Sequence, residues 1–346
     1  MSRPDLLDDR ISLKHGAGGR AMRTLIEQVC LAGLGSGSSF DGIGLLAMDD
    51  GAAIRVGDRW LVLTTDSHVV HPLFFPGGDI GRLAVSGTVN DLAVMGAPDV
   101  TALTCAVIIE EGFPRSDLER VYTSIRIACE EAGAVIVTGD TKVMGRGEID
   151  GLVLNTAGVG FCDRPVRDAG LSPGDAILVS GTVGDHGMAI LAVRHGLAIE
   201  GDLRSDVAPI NGLIRAALAA GGPSVTAMKD PTRGGTSSAL HEMAQKSHVG
   251  IVIDEASVPI RADVRGAADL LGLDPLVMAC EGKALIGVRP ERADAVLDAL
   301  RAHPLGRDAA CIGRCIGEHA GSVILDTGLG RRILAEPEGE PLPRIC

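Results

Sequence analysis

The period of the apolar positions changes repeatedly along the chain, and those changes mark out its elements. A short apolar run at Leu13 predicts a strand leading into the glycine loop His15-Gly16-Ala17-Gly18-Gly19-Arg20. Met22, Leu25, Ile26 and Val29 then recur at helical spacing. Apolar runs predict strands over 60–65, 101–109, 134–137 and 152–158, with helices over 80–95 and 116–132 between them. Residues 33–44, rich in Gly and Ser, read as a loop of the kind that covers sites.

A polar stretch with two prolines follows Phe161, so a domain boundary is expected near residue 165. The second half repeats the mixture, with strands over 176–179, 251–253, 284–288 and 322–325 and helices over 187–195, 207–220, 236–246 and 291–302. The expected fold class is α/β (α+β), in two domains over 1–165 and 166–334. Beyond them, 335–346 carry three prolines that forbid helix and favour an extended tail ending in Cys346. Its reach is about 40 Å.

Composition narrows the function. The 346 residues include 45 Asp plus Glu against 32 Lys plus Arg, with no basic block to neutralise a run of phosphates, which argues against nucleic acid and anionic membranes as partners. Only seven aromatic residues are present, too few for a base-stacking platform. With no apolar run of membrane length and acidic residues near the start, the chain is expected to be cytoplasmic, its eight scattered cysteines reduced.

Carboxylates sit at or near strand ends in Asp49-Asp50-Gly51-Ala52, Thr64-Thr65-Asp66-Ser67 and Gly139-Asp140-Thr141, an arrangement suited to a hard cation such as magnesium shared with phosphates. Taken singly, each is more at home as a turn or cap residue, because Asp and Gly build turns. Asn90-Asp91 is more pointed, because it interrupts an apolar helix where an unpartnered carboxylate is costly. The glycine loop suits a phosphate, yet its loose G-x-G-x-x-A spacing lacks the strand and ribose-binding acid of a dinucleotide fold, and no P-loop is present. Lys229-Asp230-Pro231-Thr232-Arg233-Gly234-Gly235 before a helix and Cys280-Glu281-Gly282-Lys283 before a strand read either as site loops or as a helix cap and an ion pair. His68 and His71 lack a third ligand for a metal. The terminal thiol on a proline-stiffened tail is either accidental or a reactive group.

Taken together, these segments resemble the HypE family of hydrogenase maturation proteins, within the aminoimidazole-ribonucleotide synthetase (PurM-like) superfamily. The likeness also rests on Pro72-Leu73-Phe74-Phe75-Pro76-Gly77-Gly78, Val137-Thr138-Gly139-Asp140-Thr141-Lys142, Ser180-Gly181-Thr182-Val183-Gly184-Asp185-His186-Gly187 and the ending Pro343-Arg344-Ile345-Cys346. It implies a homodimer formed through the first domains. It also implies that the carbamoyltransferase HypF loads a carbamoyl group onto Cys346. ATP-dependent dehydration then yields a thiocyanate, and its cyanide passes to the iron of a [NiFe] hydrogenase through HypC and HypD. The expected cofactors are ATP and Mg2+. The expected ATP site comprises His15, Gly18, Gly19, Asp49, Asp50, Asp66, Asn90, Asp91, Asp140, Thr141 and Asp230, with metal at Asp50, Asp66, Asp91, Asp140 and Asp230. Cys346 would carry the reacting group, with Glu281 as base, Lys142 stabilising charge and Arg344 orienting the tail, the roles of Glu281 and Lys142 being exchangeable. A small-molecule kinase or synthetase of the same superfamily and a non-catalytic scaffold with a cysteine tail are the competing readings.

Overall fold

The computed structural model describes residues 10–34, 41–197, 201–337 and 344–346. Two sheets organise them. The first holds β1 (Gly42–Ile43), β2 (Ala52–Val56), β3 (Arg59–His68), β6 (Val100–Glu110), β7 (Ile136–Met144) and β8 (Leu152–Cys162), in the order β1-β2-β3-β8-β6-β7, while β4 (Phe74–Phe75) and β5 (Gly78–Asp79) pair separately. Among the described residues of this sheet only β6 and β7 pair in parallel, joined by a helix as that geometry requires.

The second sheet runs β10-β12-β9-β13-β11-β14-β15. Its strands are β9 (Ala176–Val179), β10 (Val225–Lys229), β11 (Gly250–Asp254), β12 (Leu285–Val288), β13 (Ala310–Ile316), β14 (Val323–Asp326) and β15 (Arg331–Ile333).

The helices are α1 (Gly19–Leu25), which runs on as a π-helix over Ile26–Leu31 into α2 (Ala32–Leu34), then α3 (Ile80–Val94), α4 (Arg115–Ala132), α5 (Asp185–Arg194), α6 (Asn211–Gly221), α7 (Gly235–Ser247), α8 (Ala262–Leu271) and α9 (Pro290–Ala302). Among them α3 is central. Of its fifteen residues only Arg82 and Asp91 escape full burial, as expected of a helix apolar on every side. It packs on β3 and β8 of the first sheet, on α4, and on α6 and β10 of the second half. Asp79 caps it, accepting from Gly81 N–H at 2.8 Å and Arg82 N–H at 3.0 Å.

Some expectations shift. The run at Leu13 forms a 3₁₀ turn, Leu13–Gly16, because Ser12 N–H donates to His15 Nδ1 at 3.0 Å and folds the segment back. The helix expected over 207–220 starts at Asn211, since Pro209 drives the residue before it out of the helical region. Strands β2, β10, β13 and β15 and helix α8 carry no clear period. Gly313 interrupts β13, and the buried face of α8 is made of Val264, Ala267 and Ala268, too small to mark a stripe. Residues 338–343 of the tail expected to be extended, and residues 35–40 of the loop expected over 33–44, lie outside the described residues. Among the described residues no helix is long and apolar enough to cross a membrane.

Candidate active site

A cavity of about 260 Å³ opens where the two sheets meet. Asp66 comes from β3, Asp91 from α3, Asp50 from the turn before β2, Asp230 and Arg233 from the loop after β10, Glu281 from the loop before β12, and Cys346 from the chain terminus. Gly18 and Gly19 close one side. Gly18 has φ +82°, and a Cβ there would stand 2.7 Å from the Arg233 carbonyl, so only glycine lets the two loops touch.

The acidic wall is under electrostatic load. Burial pushes the Asp91 carboxyl well above its usual range, and Asp230, Asp66 and Asp50 add to the effect. Thr64 donates to Asp91 at 2.8 Å and partly offsets it. Asp230 is pushed up to about 8 by burial and then by Asp50. Glu281 is raised well above normal by burial and by Asp230, Asp206 and Asp66, with Arg233 opposing, and its Oε1 is buried without a hydrogen-bond partner. An oxygen left like this costs free energy that a ligand donor recovers.

Cations border the carboxylates. Burial opposes the charge on Lys229, but Asp50, Glu242 and Asp168 together outweigh it and hold the ammonium protonated. Its Nζ meets Asp50 at 2.5 Å. Asp49 lines the cavity edge through a side chain that is itself fully buried, held by Arg167 at 2.8 Å and Lys246 at 3.5 Å. Arg233 is made more basic chiefly by the negative charge of Cys346. No three Asp, Glu, His or Cys side chains among the described residues are gathered closely enough to hold a metal ion alone.

The structure brings Gly18, Gly19, Asp49, Asp50, Asp66, Asp91, Asp230, Glu281 and Cys346 to one cavity. His15 is buried but does not line it, and is bonded to Ser12. Asn90 points the other way, donating to the carbonyls of Ala208 and Glu281. Asp140, Thr141 and Lys142 lie on the exposed strand β7, Asp140 paired with Lys142 at 3.0 Å, and outside the cavity of their own chain. Arg344 pairs with Asp150 at the surface. Lys229, Arg233 and His186 escaped the sequence reading as site residues. Arg233 and Lys229 were visible in their loop but equally readable as surface cations, and His186 lay inside a motif with no assigned role.

Residues 48–162 match the family described as AIR synthase related protein, N-terminal domain, and residues 172–326 match the AIR synthase related protein, C-terminal domain. The chain is 47% identical to the carbamoyl dehydratase HypE of Rhizobium leguminosarum bv. viciae, over 99% of this chain and 97% of that one. It is similar to the hydrogenase maturation protein HypE crystallised in complex with ATP, at 40% identity and TM-score 0.80, covering 97% of this chain and all of that one. It also resembles a chain of the HypE–HypF complex, at 41% identity and TM-score 0.83, covering 90% and 99%. With both AIR synthase related domains and near-complete coverage at these identities, the chain belongs to the HypE family of carbamoyl dehydratases, hydrogenase maturation enzymes of PurM-like fold.

Proposed function

We propose that the chain dehydrates an S-carboxamide on its own Cys346, with ATP, to a thiocyanate that supplies the cyanide ligand of a [NiFe] hydrogenase iron. The observation that carries this reading is that Cys346 lines the same cavity as Asp50, Asp66, Asp91, Asp230 and the unpartnered Glu281. A kinase acting on a free substrate has no use for its own terminus there.

An amide oxygen is a poor leaving group until it is phosphorylated. The carboxamide oxygen attacks the γ-phosphorus, an O–P bond forms, and the bond to ADP breaks. One N–H proton leaves as the imidate phosphate forms, and the second leaves as the C–O bond breaks and releases phosphate. Glu281, which lines the cavity with Cys346, takes these protons. Burial and the neighbouring carboxylates raise its proton affinity, which suits a proton acceptor, while Arg233 favours the ionised form from which it acts. Arg233 also stands against the negative charge of Cys346 and steadies the reacting end.

Mg2+ fits the donor set. Asp50, Asp66, Asp91 and Asp230 line one cavity, and the charges of Asp50 and Asp66 raise the proton affinity of Asp91 and Asp230, the situation a divalent cation relieves. Because no three ligands are close enough to hold it alone, the ion would be completed by phosphate oxygens and water. There it would neutralise charge on the transferring phosphoryl group.

Residues 1–165 act as the ATP-binding and dimerisation domain, 166–334 as the second domain and 335–346 as the tail carrying the cysteine. In a homodimer formed through the first domains, Asp140, Thr141 and Lys142 on β7 would serve the second copy, since they lie outside their own cavity. HypF would load Cys346, and HypC with HypD would receive the cyanide. Cytoplasmic residence fits the reduced cysteines expected there.

Intact-protein mass spectrometry after incubation with HypF, carbamoyl phosphate and ATP tests the reading. A carbamoyl mass on Cys346 followed by loss of one water is expected. ATP hydrolysis that ignores carbamoylation, with no such mass, would overturn it.

A further inference from the structure

The last three residues are seated by contacts that look like peptide recognition. Val69 N–H donates to the Cys346 carbonyl at 3.2 Å and His71 N–H to the Arg344 carbonyl at 3.1 Å, so the terminus is held by two alternate backbone hydrogen bonds to the segment after β3, as an extended peptide is held by a strand edge. The Ile345 side chain is buried and joins the apolar core that includes Val70, Phe75 and Met188. Its carbonyl meets His186 Nε2 at 2.7 Å. Arg194, half-buried at the end of α5, donates to the carbonyl of His71 and to that of Arg344, and Arg344 pairs with Asp150.

His186 is prepared for this contact. Val207 N–H donates to Ser205 Oγ at 3.0 Å, which turns the Ser205 hydroxyl towards His186 Nδ1 at 2.7 Å. With Nδ1 accepting, the remaining proton of a neutral imidazole sits on Nε2, where it donates to Ile345. Phe75 packs edge-on to the ring at 5.4 Å and keeps it in place. Arg344 meanwhile adopts φ +60°, a left-handed conformation that an arginine keeps only when its surroundings impose it.

We infer that these residues form a receptor for a peptide ending in Arg-Ile-Cys, with His186 and Arg194 as its positioning residues, and that it accepts the same ending from a separate chain. The second part follows because every seating contact above reaches residues 344–346 alone, and none depends on their being joined to residue 337. The inference rests on the proposed self-modification only for its purpose, which is to register the thiol against Glu281. The receptor itself stands on the contacts.

The experiment uses the full-length chain without ATP or HypF, so its outcome is independent of the dehydratase reading. The rate of Cys346 alkylation by iodoacetamide is followed by mass spectrometry of the C-terminal fragment, with and without the free peptide Leu-Pro-Arg-Ile-Ser. The peptide is expected to displace the tail and raise the rate several-fold, while a peptide with Asp in place of Ile does nothing. Arg194→Ala and His186→Ala are expected to raise the basal rate, by about tenfold for loss of a buried hydrogen bond, and to abolish the response to peptide. Arg194 is not in the core, so its variant tests the receptor even where His186→Ala unfolds the chain. A rate unchanged by peptide and by Arg194→Ala would overturn the inference.

Discussion

Asn90 holds the backbone of Glu281: its side-chain amide donates to the Glu281 carbonyl at 3.2 Å and to that of Ala208 at 3.1 Å, while its oxygen accepts from Ile210 N–H at 2.8 Å. An amide in the middle of a buried helix thus ties the first sheet's layer to the loop that carries the candidate base. Asn90→Ala leaves the Ala208 carbonyl and Ile210 N–H unpaired in the interior, and the Glu281 carbonyl with only the Ala208 N–H at 3.5 Å, and should cost about 2–4 kcal/mol. The check is the urea midpoint at unchanged m-value, and turnover should fall with it because Glu281 loses its support.

Glu281→Gln separates stability from catalysis. The folded-state carboxyl is raised above its unfolded value by burial and neighbouring acids. The stability it contributes is therefore fully present below the unfolded value, about 4.3, and is lost as pH rises through the raised folded value. The glutamine variant, which does not titrate, should melt close to the native chain near about pH 5 and above it near about pH 8. It should form no thiocyanate at either pH. A variant less stable than the native chain at the higher pH contradicts the assigned direction.

Cys346→Ala should leave the circular dichroism spectrum and melting temperature close to those of the native chain, because the thiol is only half-buried. Carbamoyl acceptance and carbamoyl-dependent ATP hydrolysis should both disappear, as read by intact mass and phosphate release. Persistent phosphate release would point to the kinase reading.

Asp91→Asn removes one of the mutually repelling carboxylates that the cation is proposed to relieve. The apo variant should be more stable than the native apo chain, while the rise in melting temperature on adding ATP with Mg2+ should shrink. Chelation with EDTA should erase that rise in the native chain and change the variant little.

Lys142→Ala and Glu281→Gln should each be inactive alone. If β7 serves the second copy, mixing them under subunit exchange restores turnover in the mixed dimers, since one composite site regains both residues. Failure to complement, with exchange verified by mass, places Lys142 in its own chain's chemistry or outside it.

Much of this was readable in the sequence because local chemistry enforces it. The apolar period of 80–95 anticipated α3 to within a residue, and the burial cost of Asn90-Asp91 inside it marked both as purposeful. The purpose of Asn90 was not readable. Asn90 and Asp91 differ by one position, which on a helix is about 100° of rotation, and only packing decides that Asp91 faces the cavity while Asn90 faces Ala208 and Glu281.

The sequence by itself determined most of the longer elements, the alternation of helix and strand, the acidic loops and the terminal thiol, because periodicity, turn chemistry and side-chain charge act over a few residues. The tertiary structure alone decided which of those loops meet. Asp50, Asp66, Asp91, Asp230, Glu281 and Cys346 share one wall although they span most of the chain, whereas Asp140 and Lys142, equally suggestive as a motif, stand outside it. It also gave His186, Ser205 and Arg194 their work. A carbonyl of the terminus, a hydroxyl and an imidazole become partners only when folding brings them within hydrogen-bond distance, and no local pattern encodes that distance.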